Sequence, residues 1–67
     1  MEMFSVSSSN IDSIGYEDET LQIQFLNGST YQYFDVPEHI YTGLIEADSA
    51  GKFLAANVKG TYRYSRV

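Results

Sequence analysis

The sequence predicts an α+β fold in which a small antiparallel sheet packs with two short helices. Three observations support this prediction. Apolar and polar residues alternate through the segment LQIQF, the period-two pattern of a strand with one buried face. The dipeptide Asn27-Gly28, a strong hairpin signal, follows that segment. Pro37 and Ser49 then introduce two segments in which apolar residues recur at helical spacing.

The first predicted strand contains Ile11, Ile14 and Tyr16. Gly15 within it allows either a bulge or a close approach of another backbone segment. The acidic run at residues 17–19 is predicted to form the turn into the next strand.

The register of the following hairpin decides where its tyrosines point, because a shift of one residue moves every side chain to the other face. A two-residue loop would pair Tyr31 with Gln24. A three-residue loop, with Gly28 left-handed in a bulge, would pair Tyr31 with Ile23. Only the second register separates an apolar from a polar face, so we predict a β-meander with hairpin 21–34 in this register. The predicted apolar face then contains Leu21, Ile23, Phe25, Tyr31 and Tyr33, and the polar face contains Gln22, Gln24, Thr30 and Gln32. The two tyrosine rings are expected in the core, with their hydroxyls at its rim.

Two helices and a last strand follow. Pro37 suits the first turn of a helix whose apolar stripe consists of Ile40, Leu44 and Ala47. Either Asp48 or Ser49 can cap a second helix, which Gly60 is predicted to end. The second helix carries Phe53, Leu54, Ala56 and Val58. Residues 61–65 are predicted as a C-terminal strand with Tyr62 and Tyr64 on one face and Arg63 on the other.

Length and composition limit the classes of protein. The 67 residues predict one domain, 1–67, and the 43% of hydrophobic residues are enough for one core. The absence of cysteine excludes disulfides and thiolate metal sites, and no cofactor is predicted. The N-terminal segment lacks the basic residues and the apolar run of a signal peptide or membrane span. We therefore expect a cytoplasmic protein with no membrane partner.

Charge is divided sharply along the chain. Residues 1–48 contain all nine acidic residues and no Lys or Arg, and residues 49–67 contain all four cations and no acid. The two parts therefore carry −9 and +4, which together make the formal net charge of −5. This division either lets the two halves attract each other within the fold or leaves a basic surface for an anionic ligand.

Residues for catalysis are hard to assemble from this sequence. His39 is the only histidine, and its place near a helix start beside Glu38 predicts a solvated surface residue. The acids at 17–19 are typical of a soluble turn, with a hard-cation site as the alternative. The segment at 49–52 has the ingredients of a helix-start anion site but lacks the full phosphate-loop pattern. We therefore predict that the protein is not an enzyme.

The basic segment is the candidate binding surface. Cations interleaved with aromatic rings can neutralise phosphates while the rings stack on bases, as in single-stranded nucleic acid or nucleotide sites. The predicted ligand-binding residues are Lys52, Lys59, Arg63, Arg66, Tyr62 and Ser49. Four phosphate contacts would give a salt slope of only about −2.8, which favours a short ligand over long RNA. Alternatively, Tyr62 and Tyr64 pack into the core and Arg66 pairs with the acidic turn.

The succession "SSNIDSIGYEDETLQIQF", "NGSTYQYFDVPEHIYTGLIEADSAGKF" and "VKGTYRY" resembles the KTSC domain, over residues 8–64. This bacterial and phage family is named for its occurrence at the C-terminus of some lysyl-tRNA synthetases. The residues that match the family pattern are Tyr31 and Tyr33, Val36 and Pro37, Ser49 and Gly51, and the closing Tyr62. Two positions depart from it, with Ala55 in place of an asparagine and Asn57 in place of a histidine. The family is uncharacterised, and the synthetase association implies RNA binding.

Two functions are therefore carried forward. The first is a non-enzymatic binding module that receives RNA or a nucleotide on the basic C-terminal surface. The second is a protein interaction or self-association module in which the basic end of one copy meets the acidic part of another. The occurrence of the family in phages suggests a third possibility, a small inhibitor that sequesters a host protein or a signal nucleotide.

Overall fold

The computed structural model describes residues 1–67, and it consists of one five-stranded sheet and two helices. The sheet is antiparallel throughout, with strands in the order β1-β2-β3-β4-β5. The predicted α+β class is confirmed. In chain order the elements are β1 (Met3–Ser5), β2 (Ile11–Glu17), β3 (Thr20–Phe25), β4 (Thr30–Tyr33), α1 (Glu38–Glu46), α2 (Ala50–Asn57) and β5 (Tyr64–Arg66).

The core lies between the helices and one face of the sheet. Leu44 from α1 and Leu54 from α2 are buried together with Ile14 and Ile23 of the central strands. The complete buried apolar cluster is Ile11, Ile14, Leu21, Ile23, Tyr33, Val36, Leu44, Ala50, Leu54 and Val58. Removing this apolar surface from water is the main favourable term in folding a chain this small.

The hairpin of β3 and β4 has the predicted register. Tyr31 lies opposite Ile23 and Tyr33 lies opposite Leu21. Gly28 has a φ of 93°, a left-handed backbone conformation that would be strained for a residue with a side chain. It belongs to a three-residue loop that is closed by the hydrogen bond from the Phe25 N–H to the Ser29 carbonyl. The polar face is also as predicted, with the Gln32 Nε2 donating to Gln22 Oε1 at 2.7 Å across the two strands.

The acidic turn between β2 and β3 is a two-residue hairpin turn. Glu17 pairs with Thr20, and both residues between them have positive φ, 50° at Asp18 and 61° at Glu19. Positive φ at both central positions is the pattern of a type I′ turn, which strongly prefers Asn-Gly or Asp-Gly. Glu19 therefore occupies a position where its side chain strains the backbone.

Strand β1 was not predicted, but Gly15 indicates its presence. A Cβ atom on Gly15 would come within 2.8 Å of the Glu2 carbonyl oxygen, because the segment that leads into β1 passes close to this buried residue. Of the two readings of Gly15, the close backbone approach is the correct one. The irregularity in the pairing of β2 with β3 lies instead between Ile11 and Ser13.

Both helices begin close to their predicted starts. Pro37 immediately precedes α1, one residue earlier than its predicted place in the first turn. Ser49 caps α2 by accepting a hydrogen bond from the Lys52 backbone N–H at 3.3 Å, so Ser49 is the cap of the two candidates. Neither helix has the length and apolar character needed to cross a lipid bilayer.

The last strand starts later than predicted. Residues 61–65 were expected to form it, whereas β5 covers Tyr64–Arg66 and residues 58–61 form the turn that follows α2, with a bend at Tyr62. The turn forms because the Tyr62 N–H donates back to the Val58 carbonyl, at 3.3 Å. Tyr62 is therefore outside the sheet and packs against the core, while Tyr64 is exposed.

Replacing Glu19 with glycine is expected to stabilise the protein. The native backbone at Glu19 is left-handed, a conformation that costs glycine little. Its backbone carbonyl, which accepts from the Val36 N–H at 2.9 Å, is retained in the variant. Glu19→Gly should raise the free energy of unfolding, measured by urea denaturation, by about 0.5 to 1 kcal/mol.

Two variants separate backbone strain from charge. Glu19→Gln removes the charge and keeps the backbone strain. Its free energy of unfolding should therefore rise less than that of Glu19→Gly. Glu17→Gly makes the same change within β2 and should destabilise, because glycine weakens a strand. Equal gains from Glu19→Gln and Glu19→Gly would contradict the assignment of strain to Glu19.

Candidate functional site

A cleft with aromatic walls opens where the C-terminal strand joins the sheet. It has a volume of about 410 Å³ and lies between β3, β4, β5 and the turn after α2. We call it the aromatic cleft, and its lining residues are Phe25, Tyr31, Tyr33, Lys59, Gly60 and Tyr64. No carboxylate contributes to the lining.

Strand pairing explains why the rings of the aromatic cleft meet. Tyr33 lies directly opposite Tyr64 across β4 and β5, and opposed residues of antiparallel strands share a face. The Tyr64 ring centroid is 5.8 Å from that of Tyr33 and 5.8 Å from that of Tyr31. Phe25 meets Tyr31 edge to face at 5.7 Å. These spacings are those of favourable aromatic pairs, so the rings support one another as well as the cleft.

Burial differs strongly between the two ends of the aromatic cleft. Tyr33 is 3% exposed and belongs to the core, whereas Tyr64 is 62% exposed. Burial raises the pKa of Tyr33, and repulsion from the neighbouring Tyr31 and Tyr64 phenolates adds to the rise.

Two cations flank the aromatic cleft without a carboxylate partner. The Lys59 ammonium lies 5.5 Å from the centroid of the Phe25 ring, a cation–π distance. Arg66 lies opposite Tyr31 in the sheet, and its guanidinium donates to the Ser29 Oγ at 3.2 Å. The two ion pairs in the protein involve other cations, so both charges are available to a ligand.

The other predicted binding residues lie elsewhere. Arg63 pairs with Asp35 at 2.9 Å and rests on the Phe34 ring. Lys52 is in the first turn of α2, at the opposite end of that helix from Lys59, and Ser49 is its cap. Tyr62 packs against the core. Of the predicted binding residues, the structure places Lys59 in the lining of the aromatic cleft and Arg66 beside it, opposite Tyr31. It does not bring Lys52, Arg63, Ser49 or Tyr62 there.

Groups considered for catalysis or metal binding lie apart. His39 is exposed on the first turn of α1. The acids of the β2–β3 turn are exposed as well, and no three His, Cys, Asp or Glu side chains are placed to hold a metal ion.

Sequence reasoning missed most of the aromatic lining. Tyr31 and Tyr33 were assigned to the core, which is correct for Tyr33, while the half-buried Tyr31 also lines the cleft. The sequence predicts Tyr62 and Tyr64 on the same face of one strand, whereas only Tyr64 lies in β5. A signal was present in the spacing, since Tyr64 and Arg66 alternate like Tyr31 and Tyr33, but nothing local sets β5 against β4.

The KTSC domain family profile matches residues 7–67, most of the chain. The protein belongs to the KTSC domain family. A solved structure supports the assignment: a KTSC domain protein from Yersinia pestis is 40% identical and superimposes with a TM-score of 0.92, over 98% of this chain and 96% of that one. The fold described above is therefore shared with an experimentally determined KTSC domain.

Relatives of this KTSC domain include proteins of the same size and parts of longer ones. An uncharacterized protein of Stutzerimonas stutzeri is 36% identical over 100% of this chain and 99% of its own length. A protein of Tsukamurella paurometabola is 36% identical over 91% of this chain and 94% of its own. A lysine–tRNA ligase of Nostoc punctiforme is 34% identical over 85% of this chain, which corresponds to 10% of the ligase.

Stability is expected to fall above about pH 10. The native pKa of Tyr33 is raised above the value of 10.0 for an unperturbed tyrosine, chiefly by burial, and that of Tyr16 is raised by burial and by Glu19 and Glu38. The unfolded chain therefore loses these protons first, so this stability is present below about pH 10 and is lost as pH rises through the native pKa values. Urea unfolding across this range measures the decline.

Variants assign the alkaline decline to these tyrosines. With Tyr33→Phe or Tyr16→Phe, the free energy of unfolding should fall less steeply as the pH rises. Val36 is buried and does not titrate, so Val36→Ala should lower the free energy of unfolding by the same amount at every pH. The slope of that free energy against pH should not change. An unchanged slope in Tyr33→Phe would show that Tyr33 is not the group responsible.

Proposed function

We propose that this KTSC domain is a non-enzymatic binding module that takes a nucleotide, free or within a short single-stranded RNA, in the aromatic cleft. The observation that carries the proposal is the combination of four aromatic rings with an unpaired lysine in a cleft that has no acidic lining. Stacked rings and a nearby cation are the two features that sequence-tolerant nucleic acid sites share.

Stacking accounts for the aromatic part of the site. Tyr64 presents an exposed ring at the mouth of the aromatic cleft, held in place by Tyr31 and Tyr33 behind it. A base laid on this ring would cover apolar surface that is otherwise in water. Base stacking on an aromatic side chain contributes about 1 to 3 kcal/mol, enough for a weak but measurable affinity.

Charge accounts for the phosphate part. Lys59 and Arg66 flank the aromatic cleft and neither has a carboxylate partner. Two phosphate contacts on single-stranded RNA would give a salt slope of about −1.4. With a net charge of −5, the rest of the protein repels a long polyanion, so a short ligand fits better than a long one.

Two further observations support the proposal. The cleft lining contains no histidine, cysteine or carboxylate, the side chains that most enzymes use as a general base or nucleophile. The lysine–tRNA ligases that share sequence with this chain are enzymes whose substrate, by name, is tRNA. An RNA ligand for the related domain is in keeping with that context.

Fluorescence anisotropy with a short labelled oligouridylate at low salt tests the proposal. Tyr64→Ala should weaken binding about tenfold, corresponding to a loss of about 1.4 kcal/mol of stacking. Tyr64→Phe keeps the ring and should bind like the parent. Because Tyr64 is exposed, neither change should unfold the protein.

A charge-matched pair completes this test. Lys59→Gln should weaken binding and lower the salt slope, whereas Lys52→Gln, the same change at the other end of α2, should have little effect. Binding that is absent at low salt, or that responds equally to the two lysine variants, would overturn the assignment of the aromatic cleft.

Self-association is a second candidate function, supported by the order of the strands. β1 and β5 each pair with a single neighbour, so both sheet edges leave backbone N–H and C=O groups free for another strand. Arg66 lies on the β5 edge, and the acidic β2–β3 turn of another copy offers it opposite charge.

Sedimentation velocity across a salt series tests self-association. If the charge contact forms, the protein should sediment as an assembly at low salt and as a monomer at high salt, and Arg66→Gln should shift it toward the monomer. A monomer at every salt concentration would rule out self-association. The RNA titration tests the first candidate function independently of this result.

A further inference from the structure

A second concavity adjoins the aromatic cleft at the tip of the β3–β4 hairpin. It has a volume of about 320 Å³, and we call it the hairpin pocket. Its lining residues are Ser9, Asn10, Phe25, Leu26, Asn27 and Lys59. Phe25 and Lys59 line both concavities, so the two sites share one boundary.

The chemistry of the two concavities differs. The aromatic cleft offers rings, which stack on any base. The hairpin pocket offers two amide side chains, Asn10 and Asn27, beside the exposed apolar side chain of Leu26. Amide groups recognise the edges of bases, because each presents a donor and an acceptor side by side. The hairpin pocket is therefore suited to hydrogen bonding and the aromatic cleft to stacking.

The two amides have free hydrogen-bonding groups. Asn27 Oδ1 accepts from the Ser29 backbone N–H at 3.0 Å, which orients the side chain and leaves its Nδ2 donors free. The Asn10 side chain makes no hydrogen bond within the protein, while its backbone carbonyl is used by the Leu26 N–H at 2.8 Å. The loop contact holds Asn10 beside the hairpin, and its unbonded amide nitrogen lies close to Gly51 at the start of α2.

Lys59 lies at the boundary between the two concavities. Its ammonium is 5.5 Å from the centroid of the Phe25 ring, which both concavities share. A cation at this point can contact a phosphate that joins one nucleotide in the aromatic cleft to a second in the hairpin pocket. A single nucleotide can use only half of this arrangement.

We propose that the aromatic cleft and the hairpin pocket together bind two consecutive nucleotides of single-stranded RNA, with the linking phosphate at Lys59. This inference rests on the proposed function and extends it. The base in the aromatic cleft is held by stacking and is not selected. The base in the hairpin pocket is selected through hydrogen bonds to Asn10 and Asn27.

Isothermal titration calorimetry, which measures the affinities of nucleoside monophosphates and of dinucleotides, tests the proposal. A dinucleotide with the preferred second base should bind at least about tenfold more tightly than either monophosphate, because the second nucleotide adds its own contacts. Changing the base in the hairpin pocket should alter affinity more than changing the base in the aromatic cleft.

Variants of the two amides locate the second subsite. Asn10→Ala should reduce the affinity for the dinucleotide to that for a monophosphate and leave the monophosphate affinity unchanged. Asn27→Asp preserves the acceptor for the Ser29 N–H, and hence the loop, but removes the Nδ2 donors and should weaken dinucleotide binding more than monophosphate binding. Ser7→Ala, in the same N-terminal segment but outside the hairpin pocket, is the control.

The possible results separate the two proposals. Equal affinities for monophosphates and dinucleotides would overturn the two-nucleotide site and leave the aromatic cleft as a nucleotide site. Tighter dinucleotide binding that is insensitive to Asn10→Ala and Asn27→Asp would likewise place the second nucleotide elsewhere. Absence of binding by both ligands would overturn the proposed function together with this inference.

Discussion

The register of the β3–β4 hairpin is the constraint on which the rest of the structure depends. The left-handed Gly28 closes a three-residue loop, and that loop sets Tyr31 and Tyr33 opposite Ile23 and Leu21. Moving the register by one residue would turn both rings to the polar face of the sheet. The core would then lose Tyr33, and the aromatic cleft would lose the wall against which Tyr64 packs.

Stability and the candidate site therefore share side chains. Tyr33 is a buried member of the apolar cluster and also forms the inner wall of the aromatic cleft. Lys59 is placed by the same core, because Leu54 and Val58 bury the end of α2 just before it. A domain of 67 residues needs most of its large apolar side chains for its core. A binding site at the edge of the core can use some of the same side chains.

The parts of the fold that were predicted from the sequence depend on neighbouring residues. The hairpin, the acidic turn and the Ser49 cap each follow from a few adjacent side chains whose backbone preferences are strong. The start of β5 was wrong because the backbone closes a turn onto Val58, and an alternating pattern alone does not reveal where a turn gives way to a strand. Strand β1 was missed because three residues are too few to show a period.

The candidate site was harder to predict for the same physical reason. Its walls meet through the pairing of Tyr33 with Tyr64, which are about thirty residues apart, and no local signal sets the register of such distant strands. Proximity in the sequence was also misleading for the cations. Arg63 is three residues from Arg66, yet Asp35 pairs with it and removes it from the surface that Arg66 shares with Tyr31.

Strand β5 has a consequence for dynamics. It contains three residues, all exposed, and β4 is its only partner in the sheet. Segments with little burial and solvent-accessible backbone hydrogen bonds open locally at low free-energy cost. Tyr64 leaves with β5 whenever that strand frays, so the outer wall of the aromatic cleft exists only while the C-terminus is docked. The Ser65 and Val67 N–H groups face β4, so their amide exchange reports the fraction of molecules in which the cleft is complete. A ligand that bridges Tyr64 and Tyr33 would slow that exchange.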